Sequence, residues 1–287
     1  MTSATLHRAR ALAALLPPLL VAAGRVAATV APGSHGRRRT GPGETFWQFR
    51  RSMPGDAASV IDWRQSARSD HLFVRETEWA AARTVWLWRD ASASMDWRSD
   101  ERLPTKRDRA ELLILALAAL LLRGGERVAL LSGAQAPVSG AGALGRLAAV
   151  MARDGDAAAV PPPVPPRHAT LVLVGDFLDP LDETAARIRA LASGGAAGHL
   201  IQVLDPAEEA LPYDGRIRFE GMEGEGDMLA RRAQDLRPAY RRRLAAHRDG
   251  LAALARNAGW SLAHHRTDQP PLHALLALHA RLAGGGR

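Results

Sequence analysis

Apolar residues follow two different rhythms along this chain. Through about residue 80 they are scattered among polar residues and glycines, whereas from Arg83 onward short continuous apolar runs alternate with longer stretches of helical spacing. TVWLW (84–88), RVALLSG (127–133), TLVLVGDF (170–177), HLIQVLDP (199–206) and GWSLAHHR (259–266) read as strands. RDRAELLILALAALLLRGG (107–125), GALGRLAAVMAR (142–153), residues 182–192 and residues 271–283 read as helices, the first stopped by Gly124 and Gly125. Strands that are apolar throughout and separated by helices belong to a parallel sheet covered on both faces. The pattern therefore predicts a doubly wound α/β fold with a mostly parallel sheet.

Before the last strand the alternation is interrupted. GRIRFEG (215–221) reads as extended, and an Arg-rich segment over about 228–257, containing Pro238, reads as an inserted long helix. At the other end, Leu15, Leu19, Leu20, Ala23, Val26, Ala27 and Val30 recur at helical spacing and predict an amphipathic helix within 1–32. The apolar run over 11–23 is shorter than the roughly 20 residues that span a bilayer, and Pro17 and Pro18 interrupt it, so a packed helix is preferred to a secretion signal. Between them, 33–80 is polar and Gly-rich and ends in a strand near 71–76. The expected organisation is 1–32, a helix; 33–80, a segment packed on the core; and 81–287, the α/β domain.

Composition narrows the function. The absence of cysteine among 287 residues removes disulfides, thiolate zinc sites and cysteine nucleophiles, and it suits the cytoplasm. The net charge of +8 invites a nucleic-acid partner. Of 38 basic residues, however, only Lys106 is lysine, and the densest group, Arg37, Arg38, Arg39, Arg50 and Arg51, lacks the interleaved aromatics of a single-strand binder. No nucleic-acid partner is expected.

The chemistry lies at strand ends. Asp90, Ser92 and Ser94 follow the strand at 84–88, and Asp176 follows the strand that begins at 170. Ligands of open α/β sheets sit beyond the carboxyl ends of the strands, where the strand order reverses. If these strands are neighbours there, two carboxylates and two hydroxyls converge as hard oxygen donors for Mg²⁺ or another divalent cation. The same residues can instead shape a turn or cap a helix. His264 and His265 read as surface or packing residues, and Glu208, Glu209, Glu220, Glu223 and Glu225 as a solvated acidic face.

The DASAS run (90–94) after an apolar strand resembles the metal-ion-dependent adhesion site (MIDAS) of von Willebrand factor type A domains. FRRSMPGDAASVIDWRQSARSDHLFVRETE (49–78) resembles the signature of the domain-of-unknown-function 58 family, in which such a segment precedes a type A-like fold. The resemblance implies a metal site made by Asp90, Ser92, Ser94 and Asp176. It lacks the usual threonine, since 140–153 has none and Ser139 is the nearest hydroxyl. In the signature, Arg50, Asp56, Asp62, Trp63, Arg64 and Arg68 form either a recognition surface or an ion-pair network that pins the segment.

The resemblance further implies a non-enzymatic interaction module that binds a partner protein through this divalent-metal site, as an adaptor or partner of a MoxR-type AAA+ ATPase in a chaperone-like system. The rival is a Mg²⁺-dependent phosphoryl-transfer enzyme. That chemistry needs a second acid two residues after the nucleophile and a phosphate-binding lysine; position 92 is serine, and Lys106 lies well past the loop.

Overall fold

The computed structural model describes residues 3–17, 46–53, 61–77, 83–131, 136–153, 165–224 and 226–284. The chain forms two compact units, one of Met1–Gly24 with Arg83–Arg287 and one of Arg25–Ala82.

In the smaller unit, β1 (Phe46–Arg51) pairs antiparallel with β2 (Phe73–Thr77). The one-turn helix α2 (Trp63–Ser66) lies between them in sequence and starts at Asp62, whose carboxylate accepts the Gln65 amide at 2.9 Å. Ser66 Oγ donates to the Asp62 carbonyl and accepts the Phe73 amide, both at 2.8 Å, and so ties the turn to β2.

The larger unit is built on five parallel strands. They are β3 (Thr84–Arg89), β4 (Arg127–Leu130), β5 (Thr170–Gly175), β6 (Ala197–Leu204) and β9 (Ser261–Arg266), in the order β4-β3-β5-β6-β9. Alternation along each strand sorts side chains to two faces. Val85, Leu87, Val172, Val174, Ile201 and Val203 pack on one face, and Trp88, Leu171, Leu173 and Leu200 on the other. The first face is covered by α3 (Lys106–Arg123), α4 (Ala143–Arg153) and α8 (Pro271–Gly284), and the second by α5 (Leu181–Ala192) and α7 (Ala233–Asn257). The mostly parallel, helix-flanked sheet read from the sequence is present.

The α3 helix is apolar on nearly every side because it is covered on nearly every side: the sheet lies beneath it, and α1 (Ser3–Ala14) lies against it. Ala9 and Ala13 of α1 are buried there, and Arg123 Nη1 donates to the Ala13 carbonyl at 2.8 Å, closing the end of α1.

Two expectations need correction. The N-terminal helix packs through Leu6, Ala9, Leu12 and Ala13 rather than through a stripe that begins at Leu15. The helix ends at Ala14, which leaves Leu15 66% exposed. Leu19, Leu20, Ala23, Val26, Ala27 and Val30 lie outside the described residues. The inserted helix begins at Ala233 rather than near 228, because β8 (Asp227–Ala230) pairs antiparallel with β7 (Ile217–Glu220) in a hairpin. Helical spacing over 228–232 competes with this cross-strand pairing, and the pairing wins. Among the described residues no helix is long and apolar enough to cross a membrane.

Candidate functional site

The chain enters the parallel sheet at β3 and then places β4 on one side of it and β5 on the other. The strand order therefore reverses between β3 and β5, and a crevice opens beyond their carboxyl ends. Asp90 follows β3 and Asp176 follows β5. The Asp90 amide still donates to the Val174 carbonyl at 2.8 Å, so pairing continues one residue past β3 and fixes where the loop leaves the sheet.

All four residues expected to converge do so. The Ser92 amide donates to Asp90 Oδ1 at 2.8 Å, the Ser92 and Ser94 hydroxyls lie 3.1 Å apart, and Ser94 Oγ donates to Asp176 Oδ2 at 2.9 Å. Residues 86 positions apart in sequence thus share one polar cluster. Gly175 makes the approach possible: a Cβ there would lie 2.9 Å from Asp90 Cβ. Burial, and then the neighbouring Asp176 charge, push the Asp90 carboxyl up to about 6.

Lys106 was expected to lie away from the site, and the structure corrects this. The chain over 97–105 folds back across the strand ends, with the Ser99 amide on Asp205 Oδ2 at 3.0 Å, and delivers the first residue of α3 to Asp176. Lys106 Nζ donates to Asp176 Oδ2 at 2.8 Å and to Glu208 Oε1 at 2.5 Å, and the residue is 1% exposed. Burial opposes its charge, but Asp176 and Glu208 overcome that and hold the ammonium protonated.

The acidic cluster read as a solvated face also needs correction. Glu208 sits in α6 (Pro206–Ala210), capped by the fully buried Asp205, and is turned inward onto Lys106. Glu209 pairs with Arg248 and Arg266, and Glu223 Oε1 accepts the Ser94 amide at 3.1 Å. Glu220 and Glu223 remain exposed, the Glu220 side chain at 70%; Glu225 lies outside the described residues. Behind the cluster, Gln202 Nε2 donates to the Asp176 carbonyl at 2.9 Å and its Oε1 meets His264 Nδ1 at 2.9 Å. His265 is buried against Arg109 at 3.1 Å and is a packing residue, whereas His264 is exposed at the surface.

In the smaller unit, Asp62 caps α2, while Trp63, Arg64 and Arg68 are exposed. Asp56 and the side chain of Arg50 lie outside the described residues.

A divalent cation on Asp90, Ser92, Ser94 and Asp176 would need about six oxygens. The donor set does not fit one well, because Asp176 Oδ2 already carries a buried ammonium at 2.8 Å. A metal on that oxygen would be repelled at about 4 kcal/mol per unit charge if it stood about 4 Å from the ammonium at an effective dielectric of about 20. Ser139, the hydroxyl nearest in sequence to the missing threonine, is exposed beyond the edge strand. Among the described residues, no group of three or more His, Cys, Asp or Glu could hold a metal ion.

Beside Ser94 opens a groove of ≈ 850 Å³ lined by Trp97, Leu211, Tyr213, Phe219, Met222 and Tyr240 among others. The hairpin and α7 build its far wall, and Tyr240 is fixed there by donating to the Glu208 carbonyl at 2.5 Å.

The chain belongs to the family described as "Protein of unknown function DUF58", whose model matches residues 48–250. It is 29% identical over 269 residues to an uncharacterized protein of Mycobacterium tuberculosis, with 83% of this chain and 79% of that protein covered. Among solved structures it is similar to a conserved hypothetical protein BatB from Bacteroides thetaiotaomicron, at 14% identity and a TM-score of 0.36 over 71% of this chain and 98% of that one. A second, an aerotolerance-related membrane protein from Bacteroides fragilis, gives 16% identity and 0.34 over 70% and 98%. Both likenesses are too slight to bear on function.

Proposed function

We propose that this DUF58 protein is a non-enzymatic, cytoplasmic interaction module that captures a partner protein, a MoxR-type AAA+ ATPase in a chaperone-like system, at the carboxyl edge of its sheet. The observation that carries the reading is the pairing of a braced polar cluster with an aromatic groove at one place. Ser94 belongs to both, and Trp97, Tyr213, Phe219 and Met222 supply the large apolar and aromatic anchors that dominate protein interfaces. Met222, in the connection between β7 and β8, leaves a large apolar side chain 44% exposed at the groove. The choice of partner rests on the resemblance of the 49–78 and 90–94 segments.

A pull-down of the purified ATPase tests it. Met222→Glu, which puts a charge into the groove, and Ser94→Ala, which removes the link to Asp176, should each weaken capture about tenfold or more, equivalent to about 1.4 kcal/mol. Capture by both variants at the wild-type level would reject this surface.

One observation favours the phosphoryl-transfer reading: Lys106 does reach a strand-end carboxylate. It is nevertheless 1% exposed and bound to two carboxylates, which leaves no approach for a phosphate oxygen. A phosphatase screen with Mg²⁺ should show no turnover; turnover abolished by Asp90→Asn would replace the binding reading with the enzymatic one.

A further inference from the structure

We infer that the Lys106 ammonium is the resident cation of the strand-end cluster, held between Asp176 and Glu208, and that the site works without a divalent metal. Lysine stands at the first position of α3, where the positive end of the helix dipole disfavours a cation. Something else must compensate it there, and two carboxylates from separate elements do so, at 2.8 and 2.5 Å. Removal from water makes this pairing necessary as well as possible: a charged amine at 1% exposure survives only with partners of opposite charge.

The rest of the cluster agrees with a site already supplied with a cation. Asp176 Oδ2 receives both the Ser94 hydroxyl and the ammonium, so its direction is set from two sides. Glu208 is tied down at both oxygens, Oε1 by Lys106 and Oε2 by the Asp205 amide at 2.8 Å. Lys106 thereby links the end of β5, the start of α3 and the capping turn of α6 through one atom. A metal in an adhesion-type site would join the same loops by coordination; here a side chain joins them.

The inference concerns the site proposed for partner capture, but its readouts are metal binding and unfolding, so the two can fail separately. Wild-type protein is titrated with Mg²⁺ and with Mn²⁺ by calorimetry, and its Tm is measured with EDTA and with each metal. The expected result is no saturable binding up to about 1 mM, the weak end of oxygen-ligand sites, and one Tm throughout. Lys106→Met should lower Tm by about 6 °C or more and should acquire saturable Mg²⁺ binding that recovers part of the loss. Saturable metal binding by wild type, or wild-type Tm in Lys106→Met, would overturn the inference. Should Lys106→Met fail to fold, the wild-type titration decides by itself, since it needs no variant.

Discussion

Gly175 and Asp90 show how narrow the tolerances at this site are. A methyl group at 175 would press on Asp90 Cβ at 2.9 Å, and Asp90 cannot retreat because its amide is bonded to β5. Gly175→Ala should therefore cost about 1–3 kcal/mol in urea unfolding through overpacking. A loss below about 0.5 kcal/mol would mean that the loop carrying Asp90 yields freely. His265 offers a test of a different kind. Burial, and then Arg109, push its imidazole down to about 4, with His273 adding to the effect and Asp268 opposing it. A histidine depressed in the folded state contributes stability that is complete above its unfolded pKa near 6.5 and is lost as pH falls through 4. Wild type should lose up to about 3 kcal/mol from this group across that window. His265→Gln, which keeps an acceptor for Arg109, should flatten the slope of stability against pH; an unchanged slope would assign the loss to other groups.

At the scale of elements, α3 carries both the core and the site. Its first turn is closed by a reciprocal cap in which Thr105 Oγ1 accepts the Asp108 amide at 3.0 Å and Asp108 Oδ2 accepts the Thr105 amide at 3.4 Å. Because Lys106 is the next residue, the cap also fixes the start of the side chain that reaches Asp176. Thr105→Ala should cost about 1 kcal/mol. Leu117, fully buried in the middle of the same helix, should cost about 2–5 kcal/mol as Leu117→Ala and leave Lys106 in place. Urea unfolding separates the two, and equal losses would contradict this division between cap and core. The hairpin of β7 and β8 is the element whose extent the helical spacing over 228–257 misjudged. A four-residue strand gains its stability from its partner strand, and the sequence of one strand does not name that partner.

For the whole molecule, the order of the strands matters more than their number. With β5 beside β3, the reversal of strand order brings Asp90 and Asp176 together and makes the crevice; with β5 elsewhere in the sheet, the same two acids would stand apart. The groove arises at the same scale, since its walls come from the 97–105 connection, α6, the hairpin and α7. Partner capture is therefore expected to depend on the fold as a whole, whereas metal independence depends on Lys106 alone. Measured together, the pull-down and the metal titration keep these two claims distinct.

Composition and periodicity by themselves determined the parallel sheet, its helices and the acids and hydroxyls at the strand ends. Local spacing encodes which face of each element is apolar, and a strand-to-loop junction is visible where an apolar run stops at Asp90. The reach of Lys106 was not legible in the same way, although a single lysine among 38 basic residues, placed at a helix start, was a signal that could have drawn attention to it. Its partners lie 70 and 102 residues further on. Only tertiary structure decides which distant carboxylates meet a buried ammonium, because burial creates the need for them and the folding back of residues 97–105 supplies the position. The same holds for Glu208, whose charge suggests solvent until the fold takes it out of water.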